Sequence, residues 1–187
     1  MANIIMITGE HDNQDAAGHL IEYIYDSPYF REGNSYMTFS YNIAAVTNSF
    51  ELVQKHYNVI SGRRVQHIII GFKDGEVTLN GLSFIAQQAA WFIGQRFQCC
   101  YGIRCGSENH SGYDHIHLAV NVISYVDGKK YYERWDNLWA LANYLNQVTK
   151  WEFDWNVYMK ESNPYTEERL GGGTVFREEE LIKAERL

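Results

Sequence analysis

The stretch YDHIHLAVNVISY, residues 113–125, decides how this chain is read. Its alternation and β-branched content predict a strand, and side chains on a strand alternate between faces. Ile116, Leu118, Val120 and Val122 therefore share one face, which reads as core. His115, His117, Ala119, Asn121 and Ile123 share the other. Two imidazoles with an amide further along the same face suit a functional site. They suit equally well two satisfied histidines on a solvated face, and spacing alone leaves both readings open.

Working outward, strands are predicted at 3–8 (NIIMIT), 36–43 (YMTFSYNI), 64–72 (RVQHIIIGF) and 97–105 (FQCCYGIRC). Asp127-Gly128, between apolar runs, predicts a hairpin turn. Helices are predicted over NQDAAGHLIEYIYD, SFELVQKHYNV, LSFIAQQAAWFIGQRF and WDNLWALANYLNQVTK. In the first, Ala17, Leu20, Ile21 and Ile24 fall at i, i+3, i+4 and i+7, one apolar stripe, and Pro28 closes it. Strands mixed with helices in this order predict an α+β domain, a mostly antiparallel central sheet with helices packed on one face. The domain is expected over residues 1–160. The glycine-rich break LGGGTV and a charged helical tail, FREEELIKAERL, complete the expected second segment, 161–187.

Composition narrows the class. The chain has 187 residues, which suggests one domain, and 45% are hydrophobic, enough for a normal core. No apolar run approaches membrane-spanning length, and the N-terminus lacks the basic start and apolar run of a signal peptide. Cys99, Cys100 and Cys105 form an odd set with an adjacent pair, which suits a reducing cytoplasm better than a disulfide framework. With no C-x-x-C pair, a thiolate zinc site is not expected. The net charge of −7 is concentrated at the start, where residues 1–34 hold six acids and one arginine. That is not the basic balance of an autonomous nucleic-acid binder.

The H-x-H pair suggests metal chemistry, because neutral imidazole is a common ligand for divalent transition ions. Cupins also carry such a pair, but residues 119–126 (AVNVISYV) supply no following carboxylate. The polar loop upstream adds Glu108 and His110, so three or four donors can gather within ten residues. Trp135 and Trp139, and likewise Trp151 and Trp155, are spaced i, i+4 and read first as packing. Some of the 28 aromatics could also stack on single-stranded bases.

Two blocks together, GRRVQHIIIGFKDGEVT (62–78) and DHIHLAVNVISYVDGKKYY (114–132), resemble plasmid relaxases, the mobilisation nucleases of the HUH (histidine-hydrophobic-histidine) endonuclease superfamily. The resemblance covers about residues 3–150. It implies a relaxase-like HUH fold and an enzyme of conjugative mobilisation of a plasmid or integrative element. Such an enzyme nicks one DNA strand at an origin of transfer and forms a 5′-phosphotyrosyl link. It also implies single-stranded DNA and an accessory relaxosome protein as partners, and a cytoplasmic location without a membrane. A longer parent chain and a divalent cofactor are implied too, Mg²⁺ or Mn²⁺ with Zn²⁺ as a further candidate.

Relatives place the nucleophile in a short Tyr-Ile segment on the first helix, and IEYIYDS carries this over to Tyr23. The helical wheel agrees, since Tyr23 falls on the polar side with His19 and Tyr25 at the edge of the apolar stripe. Tyr25 and Tyr29 imitate a paired-tyrosine site, but Pro28 opposes a continuous helix through them. The implied ligands are His115 and His117. Relatives commonly carry a third histidine eight to ten residues before the last of the pair, and none stands here. Glu108 is the ungapped substitute, with His110 as the alternative. His67 matches a position often histidine in relatives, or is a strand-end histidine with a backbone partner. Arg63, Arg64, Lys73, Lys129 and Lys130 are candidate DNA contacts. Two alternatives stand beside this reading: a catalytically inactive relaxase-like domain that binds DNA or a partner, and a rolling-circle replication initiator or transposase of the same fold.

Overall fold

A computed structural model describes residues 2–9, 13, 15–38, 42–59, 61–109, 112–150, 153–162 and 182–183. The elements in chain order are β1 (Ala2–Gly9), α1 (Ala16–Tyr25), β2 (Phe30–Tyr36), α2 (Ile43–His56), β3 (Val65–Lys73) and α3 (Leu79–Gly94). They continue with β4 (Cys99–Arg104), the short turn α4 (Gly106–Asn109), β5 (Tyr113–Asn121), α5 (Trp135–Val148), β6 (Trp155–Ser162) and the two-residue β7 (Ile182–Lys183). The strands form one sheet in the order β2-β4-β5-β3-β1-β6-β7. Every pairing is antiparallel except that of β1 with β6. The α+β class and the mostly antiparallel sheet are as expected.

Alternation along the strands builds two layers of core. Ile4, Met6, Ile68, Ile70, Tyr101, Ile103, Ile116, Leu118 and Val120 point to one face and pack against α3 and α5. Each fully buried aliphatic side chain contributes about 1.5–3 kcal/mol relative to exposure. The other face is also covered. Ala16, Ala17, Leu20, Ile21 and Ile24 of α1, with Val46 and Phe50 of α2, pack on Val65, Cys100 and Ala119. The expectation of helices on one face is therefore corrected. Ala119 and Cys100 made that second face apolar enough to bury, and the histidines lie on it.

Local departures have local causes. The strand expected at 36–43 lies earlier, at β2. Met37 turns the chain with φ 57°, and the side chain of Asn42 caps α2 by accepting from the Ala45 amide at 3.2 Å. α2 thus begins six residues before the expected helix. The polar sequence FREGNSY of β2 has no alternation of its own and is held by its pairing with β4. β6 was not anticipated. It buries Trp155 and Val157 and adds parallel to β1, so the expected boundary after residue 160 falls inside a strand. Of the expected charged tail helix, only Ile182 and Lys183 are described, and they pair with Tyr158 and Met159 of β6. The Asp127-Gly128 turn forms as expected, with Gly128 at φ +69° and a bridge between Ile123 and Lys130.

Candidate active site

Three central strands bring the site together. In the register of β3, β5 and β4, Gly71 and Arg104 flank His115, Ile69 and Gly102 flank His117, and His67 and Cys100 flank Ala119. One face thus carries His67, His115, His117 and Arg104 in adjacent rows. His67 Nε2 and His117 Nδ1 are hydrogen-bonded at 3.0 Å, and the ring centroids of His115 and His117 are 5.8 Å apart. All three histidines are about 4% exposed. They are buried, not solvated.

α1 crosses this row and delivers Tyr23. Its ring stands edge-on to His117 at 5.6 Å between centroids and to His67 at 6.3 Å. Gly102 makes the close crossing feasible: a Cβ there would lie 2.7 Å from Ile24 Cγ2 and 3.1 Å from the Ile24 carbonyl oxygen. Tyr23 remains 38% exposed, at the rim of the cluster. Tyr25 faces the other way. Its hydroxyl donates to the Asn34 carbonyl at 2.8 Å and its ring packs on Phe30. Burial, then Cys100, holds the Tyr25 phenol neutral far above its ordinary range. Tyr23 on the accessible side and Tyr25 at the core edge agree with the helical wheel. α1 ends before Pro28, so Tyr29 lies outside the helix, and His19 is exposed on it.

Arg104 closes the cluster from β4. It is 5% exposed, its guanidinium carbon lies 4.0 Å over the Tyr23 ring, and it donates a short hydrogen bond to the Tyr23 carbonyl. Burial, then the Arg104 charge, draws the His115 pKa down to about 4. The same two causes, then His67 and His115, hold His117 well below the ordinary imidazole range. Both rings are therefore neutral at physiological pH.

Neutral imidazoles are the form that ligates divalent ions, so the donor chemistry fits a metal. Among the described residues, however, no group of three or more His, Cys, Asp and Glu is arranged to hold one. The Glu108 side chain and all of His110 lie outside the described residues. The Glu108 backbone belongs to α4, which follows Arg104 by one residue. That turn is fixed by Asp114, whose carboxylate accepts from the amides of Gly106 at 2.9 Å and Gly75 at 3.2 Å.

The remaining candidates separate. Asn121 is not in the cluster. It is fully buried and ties β5 to α2 and to Gln98. Lys73 is exposed at the last position of β3, opposite Tyr113 and two residues beyond Gly71, the partner of His115. Arg63, Arg64, Lys129 and Lys130 lie at the opposite end. Arg63 pairs with Glu133, Arg64 donates to the Val59 carbonyl at 2.7 Å, and Lys129 pairs with Asp127 at 3.4 Å. Sequence reading missed Arg104 and Gly102. The detectable signal was alternation: 100, 102 and 104 share a face, and an arginine there interrupts an apolar strand.

Residues 29–152 match the MobA/VirD2-like relaxase nuclease domain, and the chain belongs to that family. These domains are DNA-nicking nucleases that act on single-stranded DNA at an origin, and the family is generally divalent-metal dependent. The match begins after α1, so it includes the histidines and Arg104 but not Tyr23. Neither the curated proteins nor the solved structures contain a match. No helix among the described residues is long and apolar enough to cross a membrane.

Proposed function

We propose that this domain nicks one strand of DNA at a transfer origin by tyrosine transesterification, with Tyr23 as nucleophile, in the mobilisation of a plasmid or integrative element. The observation that carries the reading is the Tyr23 ring, exposed at the rim and edge-on to His117 and His67. The Tyr23 hydroxyl oxygen attacks the scissile phosphorus and the P–O3′ bond breaks. The 3′ oxygen leaves as a hydroxyl carrying the proton that Tyr23 gives up. The phosphate stays on Tyr23 with the downstream strand, as a 5′-phosphotyrosyl ester. One phosphodiester replaces another, so the step is reversible and the strand can be rejoined.

His115 and His117 would hold a divalent ion, Mg²⁺, Mn²⁺ or Zn²⁺, with Glu108 as the third ligand and His110 as its alternative. When bound, such an ion polarises a non-bridging phosphate oxygen and orients the phosphate for in-line attack. The buried histidines keep their lone pairs for that task because burial disfavours their charged form. Lys73 stands at the same end for a phosphate contact. The cytoplasm, where plasmid DNA resides, is the expected location, with an accessory relaxosome protein as partner.

The test uses single-stranded oligonucleotides tiled across the DNA flanking the coding region, labelled at the 3′ end, with Mn²⁺. A labelled band that shifts in a denaturing gel is the expected result, and Tyr23→Phe removes it. Normal cleavage by Tyr23→Phe overturns the nucleophile. Binding without any adduct from the wild-type chain supports instead a catalytically inactive relaxase-like domain.

A further inference from the structure

We propose that Arg104 is the resident cation of this site and that its guanidinium receives the DNA phosphate presented to Tyr23, independently of any metal. The inference rests on the reading of the cluster as a nuclease site.

Arg104 is 5% exposed, yet no carboxylate pairs with it among the described residues. Its contacts are the Tyr23 ring at 4.0 Å and the Tyr23 carbonyl, and its buried Nε makes no hydrogen bond. A buried guanidinium without a counter-ion is costly, and the charge cannot be shed because arginine does not deprotonate in proteins. The neighbouring imidazoles cannot offset it, because an imidazole is neutral or positive and never a counter-ion to a guanidinium. The described cluster therefore carries one uncompensated positive charge beneath an exposed tyrosine. An anionic group fits against it, and the planar fork of donors matches a phosphate. The chain as a whole is acidic, with a net charge of −7, so a local positive charge is what would draw a phosphodiester to this site. A purely structural arginine that only braces Tyr23 would need no uncompensated charge, because a neutral side chain can donate to the carbonyl.

The probe is a short fluorescein-labelled oligothymidine, titrated in EDTA at several salt concentrations, so no metal and no cleavage contribute. Arg104→Gln is expected to bind about tenfold more weakly. Its logarithmic salt dependence should be shallower by about 0.7, the slope of one phosphate contact on a single strand. Arg104→Lys is expected to keep the slope and lose several-fold in affinity, because it retains the charge without the fork. The same loss should appear when Arg104→Gln is made in a Tyr23→Ala background. A loss confined to chains that retain Tyr23 would mean that Arg104 only positions the tyrosine, and would overturn the proposal. Unchanged affinity and slope in a folded Arg104→Gln chain also overturns it. If Arg104→Gln does not fold, Arg104→Lys decides alone, and affinity equal to wild type refutes the guanidinium as the group that receives the phosphate. The nucleophile is judged separately: absence of an adduct with Arg104-dependent binding intact counts against Tyr23 and leaves this inference standing.

Discussion

Asn121→Ala tests whether the amide on the histidine strand serves the fold and not the chemistry. Asn121 Oδ1 accepts from Gln54 Nε2 at 2.9 Å and from the Ile123 amide at 3.2 Å. Its Nδ2 donates to the Phe50 carbonyl at 3.1 Å and to Gln98 Oε1 at 2.8 Å. Four buried hydrogen bonds, each worth about 1 kcal/mol net, set a loss of about 4 kcal/mol. The estimate is bounded because Gln54 Nε2 retains the Arg64 carbonyl at 2.9 Å, and Gln98 retains Met37 and Ser49 through its own Nε2. A range of roughly 3–5 kcal/mol follows, which for a chain of this size lowers the melting temperature by roughly 6–20 °C. Urea unfolding followed by circular dichroism measures it, with an unchanged slope showing that the unfolded state is comparable. Asn121→Asp keeps the acceptor and loses both donated bonds, so it should be destabilised as well, with the added cost of a buried charge. A loss below about 1 kcal/mol for Asn121→Ala would refute the argument that this network seats α2 on the sheet.

Four further outcomes are expected. Tyr25→Phe should cost about 1 kcal/mol, for the one hydrogen bond to Asn34, and retain adduct formation, read by thermal melting and by the denaturing gel. His117→Ala should abolish both Mn²⁺ binding in calorimetry and cleavage in the gel; cleavage at the normal rate with the metal chelated would overturn the metal's role. Glu108→Ala should weaken Mn²⁺ binding more than His110→Ala, since a carboxylate offsets part of the ion's charge; the reverse order moves the ligand to His110. Stability should fall in alkali, because burial raises the Cys100 thiol from 9.0 to about 12. A group raised in the folded state stabilises fully below its unfolded pKa and loses that contribution as pH rises. One such thiol therefore costs roughly 4 kcal/mol progressively between about pH 9 and pH 12. Urea midpoints that are flat above pH 9 would contradict it.

Much of this molecule was legible in its sequence, for physical reasons that can be named. Period-two alternation in β5, the β-branched run of β3 and the i, i+3, i+4, i+7 stripe of α1 are short-range signals, because they follow from local backbone geometry and propensity. They were enough to separate Tyr23 from Tyr25 on one helix and to put His115 and His117 on one face. Sequence resemblance identified the nuclease family on residues that the family match also spans. The boundaries of β2 and α2 were less legible, since Asn42 acts as a cap only once the helix behind it forms, and β2 depends on β4 for its hydrogen bonds. What needed the tertiary structure was everything set by register between strands distant in sequence. Pairing of β3 with β5 brings His67 to His117 across 50 residues, and pairing of β4 with β5 sets Arg104 beside His115. Burial of the histidines depends on α1 crossing at Gly102, a contact between residues far apart in the chain. No local pattern encodes a strand partner. Partner choice minimises the free energy of the whole sheet and its two helical layers, so the charge, burial and neutrality of the site arise only when that sheet assembles.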